Sequence, residues 1–559
     1  MSSSVSHAPW FWPARVARLA CLGVATLAIG CADPSAPSPG TSQTSSHDEK
    51  SNSTKPPKAA PKAAPLSSTP RAVPEETAVA TERSGQREYW DLCLIRSATA
   101  GYVHSKFTEL NEESGPVIRG ELEQLLEMER FGQSVQQQIW LVCWQTKAGE
   151  LLRFESRVTA GREATIAKGN VTGEKLTIVT TTPGKTETAT VAWKPKTGGF
   201  FAVEESLRGE PLRAGEKRTI ASLAPILHQV VRSDLQAIGF EAVRIGDESE
   251  QLLKIQRTDR IGTFALESTL WMNSQGEIRQ QFMPLPAPGM TYVRADRAAA
   301  LSGERRAALD LGQSTVVQLR DAPADLAQRK QARFRAELTT GTIAELFEAG
   351  ISQQVRVTGE RSAEIHVSAV RPDSPLPPEL ADGNLTRPPM AADRQPNALI
   401  QSDDKLVQQL AKSILPEERD SWKLAVGLEQ LVHRRIQSKN FTQAFATAAE
   451  VAQSGEGDCT EHAVLLAALC RAREIPARVA IGLLYVPNLQ GLGYHMWNEV
   501  WIHDRWVPLD ATLGLGGIQA THLKLLTSNL DGYDAYAALL PVFRVLGQLQ
   551  LTWLEEPAK

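Results

Sequence analysis

Gly455-Glu456-Gly457-Asp458-Cys459-Thr460-Glu461-His462-Ala463 is the stretch that decides how this 559-residue chain is read. Two glycines loosen the backbone just ahead of an Ala- and Leu-rich run, so the pattern predicts a helix over 456–472 with Cys459 at or near its N-terminus. Orphan amides and the positive end of the helix dipole favour a thiolate there, which is the reactive form of cysteine. Asp458, Thr460 and Glu461 make a polar neighbourhood that suits a partly exposed, reactive thiol. Cys470, amid Ala467, Ala468 and Leu469, reads instead as a small core residue.

Toward the C-terminus, Gly493-Tyr494-His495-Met496-Trp497-Asn498-Glu499-Val500-Trp501 and Trp506-Val507-Pro508-Leu509-Asp510-Ala511-Thr512 read as strands joined by a turn at His503-Asp504-Arg505. That hairpin carries His495 and Asp510 on neighbouring strands. An imidazole facing Cys459 would lower the thiol pKa further, and a carboxylate on the other ring nitrogen would fix its tautomer and orientation. The Cys459 backbone N–H is the candidate oxyanion donor. His462 competes with His495 as base, but its attachment directs it along the helix rather than across to the thiol, so a packing role is expected. His503 is expected to be solvated at the turn tip. Arg478 and Glu499 are expected to form a buried ion pair between strands, and Trp497, Trp501 and Trp506 to fill the core.

Together with Leu469-Cys470-Arg471 and Ile475-Pro476-Ala477-Arg478, these motifs in this order resemble the transglutaminase-like superfamily from roughly Leu406 to Leu530. The resemblance implies a papain-like α+β domain, with Cys459 as nucleophile, His495 as base and Asp510 as orienter. It also implies acyl transfer on protein or peptide amides through a thioester. The same triad serves an amine acceptor, as in a transglutaminase, or water, as in a cysteine peptidase or deamidase. A reading of another class keeps the fold without catalysis, as an envelope scaffold or binding protein. No EF-type loop, dense carboxylate cluster or CxxC pair is present, so no metal and no cofactor is expected.

The rest of the chain sets the context. Lys and Arg number 60 against 64 Asp and Glu, and a net charge of -4 leaves no polyanion-binding surface, so nucleic acid is not expected as a partner. Arg15 and Arg18, an apolar run from Leu19 to Gly30, and then Cys31 have the order of a secretory signal. Leu27-Ala28-Ile29-Gly30-Cys31 resembles a lipobox. Residues 1–31 are therefore expected to act as a lipoprotein-type signal ending at Cys31, which is lipidated and holds the protein to the periplasmic or extracellular face of a membrane. Residues 32–86, rich in Ser, Thr, Pro, Ala and Lys, cannot bury enough apolar surface to offset ordering entropy and read as a disordered tether.

From 87 to 371 the pattern is mostly period two and predicts a β-rich domain of unknown role and unknown partner. Three helical interruptions are expected at Arg119–Glu129, Ser222–Ile238 and Ile343–Glu348. Cys93 and Cys143 lie in strand-like runs and either pair or remain two buried thiols. A Pro-rich linker at 372–396 precedes the α+β domain at 397–559, where Leu406, Leu410 and Ile414, then Leu424, Leu428, Leu431 and Val432, recur at helical spacing, with Asp420 or Ser421 as a cap. The fold class is therefore multidomain, with a β-rich N-terminal domain and a C-terminal α+β, transglutaminase-like (papain-like) domain.

Overall fold

The computed structural model describes residues 86–555, apart from 303–314, 372–386, 439–445, 532–541 and several gaps of one to four residues. The expected signal, Cys31, the tether and most of the Pro-rich linker lie outside the described residues. No helix among the described residues is long and apolar enough to cross a membrane.

Alternating apolar and polar residues build fourteen strands of one antiparallel sheet. They are β1 (Arg87–Ile95), β2 (Ala98–Glu112), β3 (Gly115–Arg130), β4 (Gln133–Thr146), β5 (Leu151–Ala160), β6 (Ala164–Thr172), β7 (Lys175–Thr182), β8 (Lys185–Ala192), β9 (Lys217–Ala224), β10 (Gln229–Ile245), β11 (Glu248–Ile261), β12 (Phe264–Met272), β13 (Ile278–Met283) and β14 (Met290–Ala295). Two meanders, β1–β8 and β9–β14, join where β1 pairs with β14. Helices α1 (Ala202–Gly209) and α2 (Arg297–Leu301) accompany this sheet.

None of the three expected helices forms. Residues 119–129 lie inside β3, where Gln124, Leu126 and Met128 are buried in alternation and β2 and β4 pair on either side. Neighbouring strands override the helix propensity of Glu, Leu and Met. Residues 222–238 divide between β9 and β10; there Val231, Ser233, Leu235 and Ala237 alternate inward. Buried Ser233 hid the period, and its hydroxyl is satisfied by Asp259 at 2.5 Å. Residues 343–348 form turns. Cys93 and Cys143 are free and buried, on strands separated by β2 and β3.

A second sheet contains β15 (Val317–Arg320), β16 (Gln331–Leu338), β17 (Gln353–Gly359), β18 (Ser362–Ser368), β19 (Ala477–Val486), β20 (Gly491–Ile502), β21 (Arg505–Leu509), β22 (His522–Ser528) and β23 (Leu549–Leu554). Its order is β17-β18-β16-β23-β15-β20-β19-β22, with β21 on β20. The sheets therefore divide between β14 and β15, whereas the expected domain boundary was 372–396. The reason is hydrogen bonding at long range: β16 runs antiparallel to β23, and β15 bridges β23 and β20.

Helix α6 (Cys459–Ala472) packs against β19 and β20 of this sheet, α4 (Ser421–Arg435) meets β20 and α6, and α3 (Lys405–Ser413) and α5 (Ala448–Ser454) pack on α6 and on each other. Short polar side chains start each one. Asp404, Asp420, Thr447 and Asp458 all accept backbone N–H groups at the first turn. Helix α6 is buried from Cys459 through Arg471, so its sequence is apolar almost all round.

Candidate active site

The chain turns into α6 through two glycines. Gly455 ends α5 in the left-handed region (φ 67), and at Gly457 a Cβ would sit 2.3 Å from that of Glu461. The close approach lets Glu461 bond back to the Asp458 amide at 2.9 Å while Asp458 accepts from Thr460 at 2.8 Å, a capping box that makes Cys459 the first residue of the helix. The Asp458 and Glu461 side chains are thus consumed in the cap, and Cys459 is buried rather than partly exposed. Glu461 also accepts from Ala446 N–H at 3.0 Å; burial first, then the charge of Asp458, raise its carboxyl well above the usual range.

Strand β20 places this helix end. Along one edge it pairs with β19; on the other, β15 covers residues 491–492 and β21 covers 498–502. Among the described residues no strand covers that edge at 493–497, and the start of α6 docks there: Met496 N–H donates to Cys459 Sγ at 3.3 Å. Asn498 Nδ2 donates to Ala463 O at 2.9 Å and ties the N-terminal half of α6 to the strand. Thiol chemistry at this position refers to the reduced form of Cys459.

His495 lies within β20, and Asp510 directly follows β21. The His495 Nε2–H donates to Asp510 Oδ2 at 2.8 Å, leaving Nδ1 as a buried nitrogen with no hydrogen-bond partner among the described residues. A third side chain, not foreseen from the sequence, joins them: His522 Nε2 lies 3.0 Å from the same oxygen, and Thr512 N–H donates to Oδ1 at 2.8 Å. Burial alone would raise the Asp510 carboxyl, but His495 and then His522 override it and hold it well below the usual range. Burial lowers the pKa of His522, with Asp510 partly opposing. Trp497 stacks on His495 (6.1 Å, 19°) and meets His522 edge-on (5.2 Å, 83°). Gly482 faces His495 across the β19–β20 ladder, where a Cβ would lie 2.9 Å from the Trp497 ring and 2.0 Å from Leu523 O.

The family model of the transglutaminase-like superfamily matches residues 408–511. The C-terminal part of the chain carries a transglutaminase-like domain. Among solved structures, a cysteine protease candidate from Cytophaga hutchinsonii is similar at 17% identity, covering 40% of this chain and 85% of that one with a TM-score of 0.26. A protease candidate from Parabacteroides distasonis is similar at 9% identity, covering 66% and 68% with a TM-score of 0.17. At these TM-scores neither carries an argument about this chain. No curated protein matches it.

Helix α4 of the transglutaminase-like domain secures the segment after Asp510. Glu429 accepts Gly516 N–H on both oxygens (2.8 and 3.0 Å), Gln430 donates to Gly514 O at 2.6 Å, and His433 Nδ1 donates to Ala511 O at 3.1 Å. Burial pushes the Glu429 carboxyl up to about 7, the Gly516 amide opposing and the Asp510 charge adding. His462 bends back on its own helix, with Nδ1 2.6 Å from Asp458 O. Arg478 and Glu499 form the expected ion pair at 2.6 Å, and buried Lys524, not foreseen, meets the other Glu499 oxygen at 2.6 Å. His495, Asp510 and His522 are also residue types that hold metals, and their atoms lie within 4.8 Å of one another. Their N–O separations of 2.8 and 3.0 Å are those of hydrogen bonds.

Proposed function

We propose that the transglutaminase-like domain performs cysteine-dependent acyl transfer on protein or peptide amides. The observation that carries this reading is the pairing of His495 with Asp510 through Nε2, which frees the Nδ1 lone pair, while the next residue, Met496, donates its amide to Cys459 Sγ. Cys459 at the first position of a capped helix has the dipole and amides that stabilise a thiolate. In the proposed cycle the reduced Cys459 gives its proton to His495, and the thiolate attacks the amide carbonyl. His495 protonates the departing amine, leaving a thioester on Cys459. Asp510 compensates the imidazolium throughout. An amine acceptor then gives cross-linking, whereas water gives hydrolysis or deamidation; His495 takes the acceptor's proton in each case. The envelope location, with Cys31 lipidated, belongs to the same proposal and rests on the N-terminal sequence.

The test is iodoacetamide labelling of the reduced full chain near neutral pH, read by mass spectrometry, followed by profiling of peptide amides with and without added amine. Selective alkylation of Cys459, lost in reactivity with His495→Ala, is expected. A Cys459 no more reactive than an ordinary thiol would move the domain to the non-catalytic binding class.

A further inference from the structure

We propose that His522 is a positioning residue: a second imidazole that shares Asp510 with His495 and keeps that carboxylate aimed and ionised. The inference rests on the acyl-transfer reading and adds a fourth member to the site.

Asp510 is gripped from three directions. Oδ2 receives His495 and His522, and Oδ1 receives the Thr512 amide. Without His522, one directional donor to Oδ2 disappears and the carboxylate can swing away from His495. The tautomer of His522 follows from its other nitrogen. Gln519 N–H donates to Nδ1 at 3.2 Å, so a neutral ring carries its proton on Nε2, facing Asp510. Nδ1 is also 3.1 Å from Gln519 O, but a bond there would require a doubly protonated ring. A fully buried ring beside His495, 5.6 Å away, resists that second charge, because His495 must itself become cationic during the cycle. The groups facing this pair are His495 from β20, Trp497 across the ring faces, and from α4 the carboxyl of Glu429, whose charge acts against a second ionised carboxylate at Asp510. A neutral N–H donor offsets that repulsion without adding a competing cation.

The experiment follows the rate of Cys459 alkylation by iodoacetamide between pH 5 and 9 in the reduced full chain. Wild type is compared with His522→Leu and His522→Gln, and thermal melts check folding. In wild type the rate should rise well below the free-thiol value of about 8.5. In His522→Leu the profile should move upward, and the rate at pH 6 should fall about tenfold for every pH unit it moves. His522→Gln keeps an N–H at the Nε2 position and should restore most of the loss. A folded His522→Leu protein with an unchanged profile would overturn the proposal, as would a glutamine variant no better than leucine. A wild-type profile like that of a free thiol would instead sink the acyl-transfer reading, and this proposal with it. Should His522→Leu fail to fold, His522→Asn, polar but too short to reach Oδ2, takes its place.

Discussion

Replacing Glu429 with glutamine should stabilise the C-terminal part of the protein above pH 7, although it removes a charge that accepts two hydrogen bonds. Glu429 is fully buried, and its carboxyl is displaced from 4.5 to about 7. The folded state therefore holds this proton more tightly than the unfolded chain does. Stability from that source is complete below about 4.5 and is lost as pH rises through about 7. At about 1.4 kcal/mol per pH unit the window is worth about 3 kcal/mol. Glutamine mimics the protonated acid and still accepts Gly516 N–H, so its contribution does not change with pH. Wild type and Glu429→Gln should be alike near pH 4.5, and the variant should be ahead by about 2–3 kcal/mol near pH 8. Denaturant unfolding followed by tryptophan fluorescence at both pH values measures the difference. A variant no more stable than wild type at pH 8 would refute the reasoning, since it would mean that the Gly516 amide already compensates the buried charge.

A fragment beginning near residue 315 should fold, whereas one beginning near Asn397 should not, because β23 would lose both β15 and β16; a cooperative thermal transition from the shorter fragment would contradict this. Glu499→Gln should cost about 1–3 kcal/mol, because Arg478 and buried Lys524 then keep only Glu348, at 3.7 and 3.6 Å, as a carboxylate partner, and an unchanged denaturant midpoint would count against that network. His462→Ala should alkylate at Cys459 within about threefold of wild type while His495→Ala slows sharply toward a free thiol; the reverse order would exchange the two histidines. Metabolic labelling with a fatty-acid analogue should mark the wild type and not Cys31→Ala, and equal labelling would remove the proposed anchor.

What the sequence determined by itself was local. The cap at Asp420, the helix start at Cys459 after its two glycines, and the hairpin that brings His495 and Asp510 together all depend on residues close in the chain. Backbone sterics and nearest-neighbour hydrogen bonds specify such features. The same locality misled at 119–129, where helix-forming residues became β3 because strands on both sides paired with them. Tertiary structure decided three further things. It carried β15–β18 into the C-terminal sheet, because β16 and β23 satisfy each other's backbone groups across more than two hundred residues. It buried Cys459, with the flanking Asp458 and Glu461 side chains turned into the cap. It set His522, Glu429 and Lys524 beside Asp510 and Glu499, on a strand and a helix whose own sequences carry no sign of those partners. A buried polar contact is chosen by whichever groups the fold brings within about 3 Å, and residues distant in sequence leave no periodic trace of that choice.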